Sequence, residues 1–254
     1  MQTAEITVKS ALIRSRIPGV DYVINPYLGC GHGCKYCYAV FMKKYARHFQ
    51  GQAWGSFVEA KVNIAQVLRA ELARKRQRGR ALLASVCDPY QPLEGKYRLT
   101  RQCLEALQDY GWGLDILTRS PLVVRDLDIL AGAPQVTVGF SITTDDEAVR
   151  RITEPQAPPI PARIAALKRL AEAGVSTWVF IAPMLPMNAV RLVELIAPYA
   201  DRVMMDALNY RRQVQSLFHQ QGWDYALTDA YATATRTELG RLLGSKARGA
   251  RAHE

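Results

Sequence analysis

The sequence predicts an α/β protein built around a parallel sheet. Short apolar runs suited to buried strands alternate with amphipathic helical patterns, and turn-forming residues separate them. Six such strands joined by helices imply right-handed crossovers. The chain has 254 residues, of which 49% are hydrophobic, so it can bury one sizeable core. We therefore predict a single domain over residues 1–254.

The first fifty residues predict an arm, a strand and a helix. Residues 1–20 have mixed polarity and form the arm, in which only residues 5–8 resemble a strand. The first core strand covers residues 22–28, although Pro26 interrupts it. Residues 35–50 are predicted to be helical because apolar side chains recur there at spacings of three and four.

The predicted core covers residues 21–210, and from residue 64 onward its alternation is regular. The remaining strands are predicted at residues 81–87, 113–118, 135–142, 175–182 and 202–207. The helices are predicted at residues 64–76, 100–110, 121–131, 161–173 and 188–200, with another beginning near residue 143. Residues 211–254 form a C-terminal helical extension, which frays from residue 244 because apolar anchors are lacking there.

Helix-capping signals support three of these boundaries. Ser120 followed by proline is typical of an N-cap and a first helical position. Residues 145–147 are all acidic, as the first turn of a helix favours. Gly174 closes the helix at 161–173.

The net charge of +10 favours an anionic partner such as nucleic acid, although a charged, solvated surface explains it as well. Residues 74–80 hold five basic side chains. We expect them either to bind phosphates or to stay in water, where they interact favourably with the dipole at the C-terminal end of the preceding helix. No run of 18 apolar residues and no signal peptide is apparent. We therefore predict a cytoplasmic protein that does not enter the membrane.

Three of the five cysteines, Cys30, Cys34 and Cys37, lie within eight positions. In a reducing compartment such a cluster is more typical of metal ligands than of disulfides. A closed zinc site would need a fourth ligand, for which His32 is the local candidate. Three thiolates alone would leave one iron of an iron-sulfur cubane open. Three incidental buried cysteines are the remaining interpretation.

The spacing C-x3-C-x2-C, with Tyr36 before the last cysteine, resembles the signature of the radical S-adenosylmethionine (SAM) enzymes. This resemblance implies a [4Fe-4S] cluster whose open iron chelates SAM. It also implies an electron donor such as flavodoxin or ferredoxin, and a 5'-deoxyadenosyl radical released by reductive cleavage. The implied fold is a partial (β/α)6 barrel, open on one side, the radical SAM core. The loop glycines are expected to bring backbone N–H groups close to the cluster sulfurs.

A narrower resemblance points to the spore photoproduct lyase group, including its DNA repair photolyase-like members. It covers roughly residues 9–210. Its motifs are Asn25-Pro26-Tyr27, Asp88-Pro89-Tyr90-Gln91-Pro92, Thr118-Arg119-Ser120, Ser141-Ile142-Thr143, Glu154-Pro155 with Arg163, and Ala173-Gly174 before Ile181-Ala182-Pro183. The lyase has further C-terminal structure that grips DNA, and no clear counterpart to it is visible here.

The resemblance also implies roles for five residues at the carboxyl ends of strands. Arg119 would hold the carboxylate of SAM where the family has a lysine, and two parallel donors suit it to that task. Ser141 would hydrogen-bond the cofactor, and Tyr36 would pack on its adenine. Asp88 would lie at the methionine amine, and Pro183 would line the cofactor site. The ordinary interpretations are a surface residue for Arg119, a hydroxyl that hydrogen-bonds the main chain for Ser141 and a core residue for Tyr36.

Cys87 ends a predicted strand near the place where the lyase has its hydrogen-atom donor. A buried, apolar role is the alternative, and for Cys103, inside a helix, it is the only prediction.

Three functions remain open at this point. The first is a lyase-type radical SAM enzyme that abstracts hydrogen from a DNA pyrimidine lesion. The second is a radical SAM enzyme that acts on RNA, a peptide or a metabolite. The third is a non-catalytic iron-sulfur or zinc module that binds nucleic acid.

Overall fold

The computed structural model describes residues 1–133 and 135–249. In that part of the chain the strands are β1 (Gln2–Ile6), β2 (Ile13–Arg14), β3 (Tyr22–Ile24), β4 (Tyr27–Leu28), β5 (Phe57–Lys61), β6 (Arg80–Leu83), β7 (Gly113–Thr118), β8 (Val136–Ser141), β9 (Ser176–Ile181), β10 (Arg202–Met205) and β11 (Ala247–Gly249). The α-helices are α1 (Ile64–Ala73), α2 (Glu94–Tyr97), α3 (Leu99–Asp109), α4 (Leu127–Leu130), α5 (Glu147–Thr153), α6 (Ile160–Glu172), α7 (Ala189–Ile196), α8 (Gln215–Gln220) and α9 (Asp229–Leu243). Short 3₁₀ helices cover Tyr38–Tyr45, Pro121–Asp126, Arg211–Gln213, Asp224–Leu227 and Gly244–Lys246.

The larger sheet has the order β11-β10-β9-β8-β7-β6-β3-β2. Every neighbouring pair in it is parallel except β2 with β3. The six predicted core strands therefore lie side by side in chain order, as the alternating pattern predicted. Among the described strands, β2 and β11 are the two edges of this sheet, and they do not pair with each other. The sheet therefore forms an open α/β barrel.

The prediction of one strand at residues 22–28 is wrong. The segment divides into β3 in the larger sheet and β4 in a second sheet of order β1-β5-β4. The division falls at Pro26, which has no N–H for a continuous ladder. The N-terminal strand also lies earlier than expected, at Gln2–Ile6, where it pairs with β5.

Strand β5 was not predicted because a charged residue breaks its apolar pattern. Glu59 lies in the middle of β5 and is fully buried. Its carboxylate oxygen Oε1 accepts hydrogen bonds from the backbone N–H groups of Arg47, at 2.7 Å, and His48, at 2.6 Å. A buried carboxylate is tolerated where it is hydrogen-bonded in this way.

The helix predicted at residues 35–50 is shorter and tighter than expected. It is a 3₁₀ helix that begins after Cys37 and ends at Ala46, and only Ala39 in it is buried. Tyr38, Phe41 and Tyr45 are exposed. Of the recurring apolar positions only Met42 packs against a hydrophobic cluster, and packing of a whole apolar face is what normally stabilises a longer α-helix.

The C-terminal extension contains α8 and α9, as predicted, but its tail is more ordered than expected up to residue 249. Residues Ala247–Gly249 form β11, which extends the parallel sheet by pairing with β10. Lys246 anchors the turn before this strand by donating from Nζ to the carbonyl of Ala197. The rest of the predicted frayed tail, residues 250–254, lies outside the described residues.

The predicted caps are confirmed. The side chain of Ser120 accepts from the N–H of Leu122, and that of Asp146 from Ala148. Gly174 has a φ of +77°, the left-handed conformation expected just past a helix end. The main hydrophobic core draws residues from Ala11 to Leu243 and lies between the sheet and its helices. No helix in the described part of the chain is long and apolar enough to cross a membrane.

Candidate functional site

The cysteine loop follows β4, beside the carboxyl end of β3. Cys30 and Cys34 are each 8% exposed, and Cys37 is half-buried. Two consecutive turns fold the segment that carries the three cysteines, with the N–H of Gly33 donating to the carbonyl of Cys30 and that of Cys37 to the carbonyl of Cys34. The N–H of Lys35 donates to the carbonyl of Thr153, which ties the loop to the end of α5.

Two glycines fix the path of this loop. Gly29 has a φ of +88°, and a Cβ there would lie 2.5 Å from the carbonyl oxygen of Phe57. Gly33 has a φ of +59° and lies against Gly55, where an added Cβ would be 2.6 Å from the Cα of Gly33. A larger side chain at Gly29 or Gly33 would therefore push the cysteine loop away from β5 or from the segment just before it.

One expectation for the loop is corrected by its hydrogen bonds. The N–H of Gly31 donates to Oε1 of Gln91 at 2.8 Å, and that of Gly33 to Cys30. These two N–H groups therefore serve the protein rather than cluster sulfurs. The amide of the fully buried Gln91 also donates to the carbonyl of Gly29 at 3.3 Å, so one side chain holds the loop at two points.

The three thiols are close enough to influence one another electrostatically. Burial raises the pKa of Cys30, and the charges of Asp88, Cys34 and Cys37 raise it further. Burial raises the pKa of Cys34 to about 12, although Arg119 opposes the shift. Burial likewise raises the pKa of Cys37. Thiolates at these positions would therefore be stabilised by a bound cationic group such as iron.

Buried, unpartnered donors beside the loop fit such a group. Nδ1 of His32 has no hydrogen-bond partner among the described residues, although the residue is only 1% exposed. The indole N–H of Trp54 is also buried without an acceptor that meets hydrogen-bond geometry, yet it lies near enough to the thiol of Cys37 to lower that pKa. Cluster sulfides and thiolates are acceptors that would satisfy such donors.

The arrangement of side chains around the cysteine loop differs from a closed zinc site, which was one of the possibilities that the sequence allowed. Nε2 of His32 lies 3.2 Å from Oδ2 of Asp88, so the ring faces a carboxylate at ion-pair distance. Among the described residues, which include all five cysteines, no three His, Cys, Asp or Glu side chains converge as one metal ion requires. A cubane has no such requirement, because each thiolate binds a different iron.

Asp88 begins the turn after β6 and accepts several hydrogen bonds while buried. Oδ1 accepts from the hydroxyl of Thr118 at 2.6 Å and from the N–H of Tyr90 at 2.8 Å, and Oδ2 accepts from the N–H of Arg119 at 2.7 Å. Burial alone would raise its pKa, but His32 and these donors outweigh that effect and lower the pKa to about 2. Asp88 therefore links the cysteine loop to the carboxyl end of β7 as a carboxylate.

Glu154, at the C-terminal end of α5, is fully buried and contacts two of the predicted cofactor residues, Tyr36 and Arg119. Oε1 accepts from the hydroxyl of Tyr36, from Nε of Arg119 at 3.3 Å and from the hydroxyl of Thr143 at 2.9 Å. Oε2 accepts from Nη2 of the fully buried Arg163. Burial would raise the pKa of Glu154, but Arg163, Arg119 and Tyr36 hold it well below its usual range.

The remaining predicted cofactor residues are arranged around this carboxylate. Nη2 of Arg119 also lies 3.1 Å from the hydroxyl of Tyr36, so the guanidinium is fixed by two partners. Arg163 donates from Nη1 to the carbonyl of Ser141, at the carboxyl end of β8, at 3.0 Å. Pro183 is buried just after β9. Tyr36, Arg119 and Ser141 are thus joined by one polar network. In the described part of the chain, no hydrogen bond or ion pair joins Pro183 to this network.

Cys87 lies beyond the end of β6 and is half-buried, while Cys103 is fully buried in α3. The predicted strand at 81–87 ends early, at Leu83, because the N–H groups of Ser85 and Val86 donate to the side chain of Asn25. Sγ of Cys87 lies 4.0 Å from the same oxygen of Asn25. Burial raises the pKa of Cys87 to about 12, against the charge of Lys61.

Sequence reasoning missed the positioning roles of Glu154, Gln91 and Trp54. The resemblance included Glu154-Pro155 and Arg163. Nothing in that pattern indicated that the side chains of Glu154 and Arg163 meet in the interior. Trp54 gave no signal, because only the fold brings it to Cys37.

Comparisons with known proteins show which family this chain belongs to. The Radical SAM superfamily model matches residues 24–197, more than half of the chain. The uncharacterized protein MJ0683 of Methanocaldococcus jannaschii is 37% identical over 186 residues, which cover 73% of this chain and 69% of that protein. The uncharacterized protein Rv2578c of Mycobacterium tuberculosis is 36% identical over 191 residues, or 72% of this chain. The match spans only 56% of the mycobacterial protein's length.

Solved structures show the same fold. Spore photoproduct lyase complexed with dinucleoside spore photoproduct matches with a TM-score of 0.69 and 17% identity, over 98% of this chain and 81% of the lyase. A lyase mutant with bound AdoMet and dinucleoside spore photoproduct gives 0.68 and 16%, over 98% and 82%. SuiB of Streptococcus suis bound to its precursor peptide gives 0.51 and 18%, over 79% and 46%. This chain therefore belongs to the radical SAM superfamily, whose cofactors are a [4Fe-4S] cluster and SAM.

Proposed function

We propose that this protein is a lyase of DNA repair that acts in the cytoplasm on a pyrimidine lesion, using radical SAM chemistry. The observation that carries the proposal is the fold shared with spore photoproduct lyase over 98% of the chain, well beyond the residues that the superfamily model matches. The basic net charge of +10 suits a nucleic acid substrate. An electron donor such as flavodoxin or ferredoxin would supply the reducing electron.

The residues of the site divide the work between them. When bound, the [4Fe-4S] cluster supplies the electron that cleaves SAM to a 5'-deoxyadenosyl radical. Cys30, Cys34 and Cys37 hold the cluster at the mouth of the barrel. Arg119, oriented by Glu154, binds the carboxylate of SAM as a charge-assisted pair.

Three other residues complete the proposed cofactor site. Asp88, ionised and held by the donors described above, accepts a hydrogen bond from the methionine ammonium. Tyr36 packs on the adenine with its ring fixed by the hydrogen bond to Glu154. Ser141 hydrogen-bonds the cofactor from the end of β8, and the buried Pro183 lines the same site.

Cys87 is the proposed hydrogen-atom donor that quenches the product radical, and its replacement tests the function directly. The chain is reconstituted anaerobically and given dithionite, SAM and dinucleoside spore photoproduct. We expect the native protein to form 5'-deoxyadenosine and the repaired dinucleoside. We expect Cys87→Ala to change the product mixture, because the thiol hydrogen is then missing. The matched control Cys103→Ala, in α3, should give the native products.

The same assay separates the alternatives. Absence of 5'-deoxyadenosine would indicate a non-catalytic module. Formation of 5'-deoxyadenosine without lesion repair would indicate an enzyme acting on RNA, a peptide or a metabolite. Unchanged products from Cys87→Ala would remove Cys87 from the mechanism.

Trp54 is predicted to tune the reduction potential of the cluster. Its buried indole N–H has no acceptor among the described residues and lies near Cys37, and a hydrogen bond to a ligand sulfur would favour the reduced, more negative state of the cluster. Trp54→Phe should therefore lower the potential by about 40 mV, taking ~1 kcal/mol for one hydrogen bond and a one-electron couple. A potentiometric titration followed by electron paramagnetic resonance measures the shift.

The control for this shift is Trp178→Phe. Trp178 is also a buried tryptophan whose N–H has no partner, but it lies on β9 against Gly139. Equal potentials in Trp54→Phe and the native protein would show that the indole does not reach the cluster ligand.

A further inference from the structure

Four exposed aromatic side chains form a surface that no part of the proposed cofactor site uses. The rings of Tyr38 and Tyr210 stack, with centroids 6.4 Å apart and planes at 24°, although each is more than 40% exposed. The ring of Phe41 lies 6.4 Å from that of Tyr38. Lys44 joins the series, with Nζ 6.0 Å from the centroid of Phe41 and 4.9 Å from that of Tyr45.

This surface lies at the mouth of the candidate site. Tyr38 directly follows Cys37, and its hydroxyl donates to the carbonyl of Ser85 beyond the end of β6. Tyr210 follows the carboxyl end of β10. Ser85 lies two residues before Cys87, so the Tyr38 hydroxyl reaches the short segment that holds Cys87. A molecule stacked on the two tyrosines would therefore lie beside Cys87.

The charges around the rings are complementary to a polyanion. No aspartate or glutamate occurs in residues 22–58, which hold Lys43 and Lys44 beside the exposed rings. None occurs in residues 207–223 either, where Arg211 and Arg212 follow Tyr210. Residues 208–213, including both arginines, line an open pocket of about 450 Å³. Arg211 is paired with Asp229, whereas Arg212 is exposed.

We propose that this aromatic-basic surface, formed by Tyr38, Phe41, Tyr45, Tyr210, Lys43, Lys44 and Arg212, binds single-stranded DNA with an unpaired base stacked on Tyr210. Sequence-tolerant stacking on aromatic rings, combined with cations that follow the phosphates, is how proteins hold single strands. A base must also leave its duplex before chemistry can reach it. The choice of DNA rests on the proposed function, and the stacking surface itself rests on the ring and charge geometry described above.

A second basic region provides a matched control. Residues 74–80 lie between α1 and β6, at the amino end of the sheet and therefore opposite the site. Arg76 is exposed there, as Arg212 is on the aromatic-basic surface. Arg76→Glu and Arg212→Glu change the net charge equally, so a difference between them reports position rather than total charge.

The test is fluorescence anisotropy of labelled oligo-dT with the full chain, its cluster reconstituted, at several salt concentrations. Tyr210→Ala should weaken binding about tenfold or more, because stacking is lost, whereas Tyr210→Phe should bind like the native protein. Arg212→Glu should weaken binding and reduce the slope of log affinity against log salt by about 0.7 for each phosphate that the protein no longer neutralises. Arg76→Glu should change the affinity less than Arg212→Glu. Cluster absorbance confirms that each variant is folded.

Several outcomes would overturn the inference. These are undetectable binding of oligo-dT, native affinity in Tyr210→Ala, equal loss in Arg76→Glu and Arg212→Glu, or tighter binding of duplex DNA, oligo-rU or an oligoglutamate peptide. The proposed function fails separately. If SAM is not cleaved but oligo-dT binding depends on Tyr210, the surface is supported and the enzyme assignment is not.

Discussion

Replacing Cys34 with alanine is expected to remove the [4Fe-4S] cluster and, with it, all cleavage of SAM. Three protein thiolates are the whole ligand set proposed here, so loss of one leaves two irons without a protein ligand. Cys34 is buried in the middle of the loop. It follows the turn that begins at Cys30, and it begins the turn that ends at Cys37. Iron and sulfide content after anaerobic reconstitution, and the yield of 5'-deoxyadenosine, should both fall to the detection limit.

Cys103→Ala is the matched control for this experiment. Cys103 is buried in α3, so its loss makes a small cavity in the core without touching the loop. The Cys103→Ala variant should retain the iron content of the native protein. Full iron content and SAM cleavage in Cys34→Ala would contradict the ligand assignment.

Replacing Glu154 with alanine is expected to destabilise the fold by about 3–5 kcal/mol, since it removes one partner of a buried ion pair. Arg163 is fully buried and would lose its carboxylate, while Arg119 and Tyr36 would lose the oxygen that orients them. Denaturant unfolding of the apo chain measures the change. Glu172→Ala provides the control, because Glu172 is exposed in a long pair with Lys168 and should cost less than about 1 kcal/mol.

The pH dependence of this effect has a definite sign. The pKa of Glu154 is lowered in the folded state, so its stabilisation is complete above the unfolded pKa of about 4.3. This stabilisation is lost progressively as the pH falls from the unfolded pKa to the lower folded pKa. The stability difference between native protein and Glu154→Gln should therefore stay constant from about pH 6 to 8 and shrink in strong acid. A loss below about 1 kcal/mol for Glu154→Ala would contradict the buried-pair account.

Local pattern was enough for much of the fold. The five strands from β6 to β10 were predicted because each is a compact apolar run between helical segments, and the caps at Ser120 and Gly174 need only neighbouring residues. The strand β5 was hidden because the buried Glu59 interrupts its apolar pattern, and the hydrogen bonds that Oε1 of Glu59 accepts from Arg47 and His48 exist only in the tertiary structure.

The candidate site was predictable in its ligands but not in its support. The cysteine spacing identified the loop, because cluster ligation fixes a local pattern. The network at Glu154 was not predictable, since it joins Tyr36, Arg119 and Arg163 from distant parts of the chain. Likewise, the expectation that loop N–H groups face the cluster failed for Gly31 because Gln91, 60 residues away, accepts its hydrogen bond.

The proposed chemistry requires that one iron of the cluster stays open for SAM, and electron paramagnetic resonance of the dithionite-reduced protein detects this open position. Spectra are recorded before and after addition of SAM. We expect a cubane signal whose line shape changes when the cofactor coordinates the open iron. A cubane signal that saturating SAM leaves unchanged would contradict it, because the fourth coordination position would then already be filled.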